Sequence, residues 1–164
     1  MKKKYPLEQL VFIKKKKLQE AEKMLREKKE ELEAEEEKLV KVEAERDKVK
    51  VHKMEKLTQL REALDEGKPA AKIEEMRIYL KIVDEKLKSH ENKVILQQKE
   101  VEKAEEAVEE ARKEMLKRQR DVEKLKEHKG DWTKEMVREL EREEAKEGDE
   151  MGTTRYIRNK KKRH

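Results

Sequence analysis

Ile73, Leu80, Leu87, Val94, Val101, Val108, Met115 and Val122 stand seven residues apart, and every one is apolar. Three positions after each come Met76, Val83, His90, Gln97, Ala104, Ala111, Arg118 and Leu125, most of them apolar or small. A 3-4 alternation sustained this long places one apolar stripe along an α-helix, the seam of a coiled coil. The strict seven-residue period predicts a left-handed supercoil. The first half carries its own ladder, Val11, Leu18, Leu25, Leu32 and Leu39. Arg46 and Lys53 then occupy the ladder positions, while Val42, Val49, Leu57, Leu60 and Leu64 carry the stripe. That reads as one helix with a shift of register, since no Gly or Pro lies between Leu7 and Leu64.

The two halves meet at "LDEGKPAAK", residues 64–72. Glycine is favoured just past a helix end, where it accepts a left-handed backbone. Proline suits the start of a new helix, where its missing N–H is not needed. Gly67-Lys68-Pro69 supplies both in that order and predicts a short connection between antiparallel neighbours. A proline kink in one long helix would explain Pro69 and leave Gly67 without a role. Folding about residue 67 sets residue i near residue 134 − i, so the ladder from Val11 to Leu39 faces that from Val94 to Val122. Charge adds little, because the acidic run Glu30–Glu37 meets a stretch of mixed sign.

The expected fold is therefore all-α, a long antiparallel two-helix coiled-coil hairpin over residues 1–152. Helix 1 covers about 6–66, the turn 67–68, and helix 2 about 69–147. The second helix would be roughly 115 Å long at 1.5 Å per residue. Gly130 is expected to loosen it, and Gly148 and Gly152 to end it. Residues 153–164, with six basic and no acidic side chains, read as a flexible solvated tail.

Composition supports this picture. Of 164 residues, 53% are charged and 3% aromatic, too little apolar bulk for a globular core of ordinary thickness. Only two Pro, four Gly and one Ser occur, so the charge comes with helix formers and not with the residues of disorder. Forty-six basic against forty-one acidic residues leave +5, too modest to indicate nucleic acid by itself. Cysteine is absent, which removes disulfides, thiolate metal sites and thiol nucleophiles. The longest N-terminal apolar run, Leu10–Ile13, is far shorter than the roughly 20 residues of a spanning helix.

Nothing in the pattern suggests catalysis. Gly67-Lys68 lacks the remaining positions of a phosphate-binding loop. His52, His90, His128 and His164 show no ligand spacing, and no cofactor or metal is expected. His90 reads as a tolerated polar seam position that could fix register with Gln97.

Candidate binding chemistry concentrates near the termini. "LEQLVFIKKKK", residues 7–17, holds more apolar residues than one seam uses. With Leu7, Leu10 and Val11 turned inward, Phe12 or Ile13 faces solvent beside Lys14, Lys15, Lys16 and Lys17, a pattern that suits protein docking or a membrane surface. Trp132, the only tryptophan, falls opposite Tyr5, Pro6 and Leu7, where it would seal the open end or anchor a partner. The docking candidates are Tyr5, Leu10, Phe12, Ile13, Lys14–Lys17 and Trp132. Lys2–Lys4 and the basic tail could bind phosphate backbones, though only Tyr156 offers an aromatic platform there.

Several stretches are not heptad filler. "YPLEQLVFIKKKKLQEAEKMLREKKEELEAEEEKL", "KLTQLREALDEGKPAAKIEEMRIYLKIVDEKL" and "VEKLKEHKGDWTKEM" with "EGDEMG" are similar to the start, turn and far end of the YscO branch of the FliJ/YscO family. These are small stalk proteins of bacterial type III secretion. The resemblance implies an antiparallel coiled coil like the central stalk of a rotary ATPase. It also implies a non-catalytic cytoplasmic protein at the base of the secretion apparatus. Its expected partners are the hexameric secretion ATPase, an export gate protein and chaperones of secreted substrates, with the membrane engaged only indirectly. The rival reading is a basic-tailed coiled coil that binds nucleic acid or acts as a tether.

Overall fold

The computed structural model describes residues 3–163, so Lys2 and His164 of the basic ends lie outside it. Two helices account for nearly all of those residues: α1, Glu8–Asp65, and α2, Ala70–Lys162. They form an antiparallel hairpin. Helix α1 opens with the Val11 N–H on the Leu7 carbonyl (2.9 Å) and carries Glu8 in its first turn, where a negative charge complements the helix dipole.

The turn is built as its residues dictate. Gly67 has φ 70°, a left-handed backbone that costs other residues steric strain. That conformation lets the Lys68 N–H reach back to the Ala63 carbonyl (3.1 Å) and the Gly67 N–H to Leu64 (3.2 Å). The pair is a Schellman closure and satisfies the last carbonyls of α1. Pro69 follows, and its carbonyl accepts from the N–H groups of Lys72 (3.0 Å) and Ile73 (3.1 Å) to start α2.

The chain falls into two compact units. In the first, Glu22–Lys113, the turn and the flanking helix segments bury Leu25, Ala63, Ile73, Val83, Leu87, Val94, Val101, Val108 and Ala111. In the second, Met1–Ala21 with Glu114–His164, the core is Tyr5, Val11 and Val122. On α2 every buried side chain, and every half-buried one except Asp84, Ala107 and Asp121, falls on the two ladders read from the sequence, continuing through Lys129, Trp132, Met136 and Glu139. Cross-helix pairs follow the mirror rule closely, from Tyr5 with His128 and Lys14 with Asp121 to Glu35 with Gln97 and Lys53 with Asp84.

Two expectations need correction. The register of α1 does not shift. Most of its covered positions keep the phase of Val11 through Arg46, Lys53 and Leu60, and of Lys14 through Val42, Val49 and Ala63; of the slipped stripe Leu57 is half-buried beside them, whereas Leu64 is exposed. Arg46 and Lys53 hold ladder sites because long basic side chains cover apolar surface with their stems and keep the charge near water. Second, α2 does not stop near 147 but runs through Gly148 and Gly152 to Lys162. A glycine costs a helix only about 1 kcal/mol against alanine, and the Glu, Lys, Arg and Met around these two favour the helix. Lys160, Lys161 and Lys162 in the last turn complement the negative end of the dipole.

Candidate partner-binding site

The start of α1 and the facing stretch of α2 form one aromatic closure. Tyr5 is buried, and its hydroxyl meets Nδ1 of His128. Trp132 meets the Tyr5 ring edge-on, with centroids 5.4 Å apart. Lys129 lies 5.9 Å above the same ring and pairs with Glu8 at 2.9 Å. About two turns further along, Lys14 pairs with Asp121 at 3.8 Å. These contacts fix the Tyr5-Pro6-Leu7 segment against α2 just before α1 begins.

The docking candidates accordingly divide into two groups. Tyr5, Trp132 and Lys14 are engaged across the helices, so most of their surface is committed to holding the hairpin end. Phe12 and Ile13 face away, 70% and 47% exposed, and Leu10 lies at the margin. Lys15, Lys16 and Lys17 are exposed beside them. The result is an apolar spot with a positive border on the outer side of α1. The basic tail does not contribute to this border. Because α2 stays helical, Arg155 lies roughly 35 Å beyond Trp132 along the axis.

Around the turn the chemistry differs. Gly67, Lys68 and Pro69 are exposed, and Lys68 pairs with Glu66 at 3.7 Å. Further along this unit, two cross-helix contacts lie on residues that the ladders alone did not single out. The Tyr79 hydroxyl lies 2.9 Å from Nε2 of His52, with Lys56 over its ring at 5.5 Å. Lys53 donates to Asp84 at 2.6 Å, and Lys88 approaches the other carboxylate oxygen at 3.5 Å. The Lys53 hydrogen bond holds the Asp84 carboxyl below its ordinary value of 3.8, burial works against it, and the charges of Lys53 and Lys88 assist. The mirror rule could have located both contacts.

The polar seam positions behave differently from each other. Gln97 donates to the Glu35 carbonyl (3.0 Å) and carboxylate (2.5 Å), a cross-helix lock. His90 leaves Nδ1 without a partner. The concave surfaces are open grooves, one along α1 lined by Lys50, Val51, Met54, Thr58 and Glu62, others between the helices, as at Lys56, Gln59, Met76 and Tyr79. No group of three metal-ligating side chains occurs among the described residues, and no helix there is long and apolar enough to cross a membrane.

The family model for YscO-like proteins matches residues 2–162. A solved structure from Chlamydia trachomatis, described as that of a YscO homolog, superposes with a TM-score of 0.93 at 43% identity, covering 98% of this chain and 99% of that one. No curated protein matches. The hairpin, its terminal closure and these two likenesses define an α-helical coiled-coil protein associated with type III secretion. The chain belongs to the YscO-like family.

Proposed function

We propose that the protein is the non-catalytic stalk of a type III secretion system. It docks on the hexameric secretion ATPase and couples the ring's nucleotide states to the export gate. The observation that carries this reading is the exposed Phe12–Ile13 pair bordered by Lys15, Lys16 and Lys17 on a helix whose inner face is already satisfied. A few apolar anchors typically supply most of the affinity of a protein contact. A positive border speeds encounter with an acidic surface more than it tightens the complex. The Tyr5–His128–Trp132 closure would hold the anchors in place, so Tyr5 and Trp132 act as supports. Chaperones of secreted substrates are further partners in this reading, and the cytoplasmic base of the apparatus is its location.

The test is stimulation of the purified ATPase. Replacing Phe12 and Ile13 together by serine is expected to abolish stimulation while circular dichroism keeps its helical signal. Replacing Lys15 and Lys16 by glutamate should slow association and flatten its salt dependence. Normal stimulation by both variants, with loss on changing Lys68, would place the contact at the turn and refute the assignment.

A further inference from the structure

α2 outlasts its partner helix. Facing the start of α1 it has half-buried seam residues at Trp132, Met136 and Glu139, but from Leu140 to Arg163 every side chain is exposed. The two ladders continue here at Glu143, Lys146, Glu150, Thr153, Ile157 and Lys160, mostly polar, and no described residue of α1 lies along them. Val137 and Leu140 are 49% and 50% exposed, and Met151, Tyr156 and Ile157 are open as well. The charges along it are separated. Residues 139–150 hold seven acidic and two basic side chains, whereas residues 153–163 hold six basic and none acidic. The helix dipole accounts for the terminal lysines but not for the acidic run, since its influence fades within the last turn.

From these observations we infer that this overhang pairs with the same segment of a second copy of the chain, in antiparallel orientation. Antiparallel pairing sets the acidic run of each copy along the basic run of the other, about a two-fold axis near Gly152. A parallel pair would set acid on acid and base on base. The contact is self-complementary, as a two-fold interface requires. Met151, next to the axis, gives it an apolar contact, and the ion pairs give it orientation. Because those pairs are exposed, the association is weak and salt-sensitive. The inference is independent of the ATPase reading, which rests on residues of α1.

Sedimentation velocity of the full chain tests it. At low ionic strength the mass should rise with concentration from 19.8 kDa towards twice that value, and added salt should reverse the rise. The triple variant Glu143→Lys, Glu144→Lys, Glu147→Lys should associate at least about tenfold more weakly, as should Lys160→Glu, Lys161→Glu, Lys162→Glu, because each sets like charges opposite. An equal mixture of the two variants should regain association. Spin labels at residue 141 of one copy and 162 of the other should lie close together, and two labels at 141 far apart. A monomeric wild type at every concentration, a mixture that fails to associate, or close 141–141 labels would each overturn the proposal. So would loss of association on replacing Phe12 and Ile13 by serine.

Discussion

Gly67 shows how much one backbone angle decides. Nothing lies within 4 Å of where a Cβ would stand, so alanine there meets no steric obstacle from neighbours. The whole cost is the left-handed φ, roughly 1–2 kcal/mol. Gly67→Ala should lower stability by about that amount in urea unfolding, with asparagine in the same place costing less. Asp84 gives a second test at this scale. Its folded pKa lies below 3.8, so its stabilising contribution is present above that pH and disappears as pH falls through the folded value. The wild type should lose its stability margin over Asp84→Asn on acidification below about pH 4, and denaturant titrations at pH 7 and pH 3 would show this. The turn residues were legible because glycine and proline have local rules. Lys53 and Asp84 were legible only through the mirror rule, because their pairing exists only once the hairpin sets the register.

At the scale of the helices, the apolar ladders of α2 predicted its covered face correctly because seven-residue spacing is geometry and survives any composition. The misreading of α1 came from treating Arg46 and Lys53 as polar and therefore outside the seam. Helical position, not polarity, assigned them. The end of α2 was misread for a related reason. Two glycines were taken as a stop, but isolated glycines lower helix stability without removing a backbone hydrogen bond. Their cost should still be measurable. Under salt that keeps the chain monomeric, amides from about Ala145 to Lys162 should exchange far faster than those between Val83 and Val122. The overhang has no covering helix, and marginal segments open locally. Protection equal to that of the seam would contradict this.

At the scale of the whole molecule, the sequence disclosed the two-helix hairpin and, through its non-repetitive stretches, the family to which the chain belongs. The heptads alone could not have done the latter, since any coiled coil supplies them. The proposed docking surface was only half legible. Phe12 and Ile13 could be singled out as surplus to one seam, and sealing of the open end was one of two roles read for Trp132, but which role it and Tyr5 take, and the commitment of Lys14, depended on which rotamers reach across. The mirror register also constrains how such a chain can change length over time. Seven residues added to α1 alone would leave the chemistry on the N-terminal side of the insertion facing the wrong partners on α2: Lys14 would lose Asp121, and Tyr5 would lose His128. A matching seven residues at the mirrored position of α2 would restore every pair. Viable variants should therefore differ by paired heptads, one in each helix, with the turn left intact.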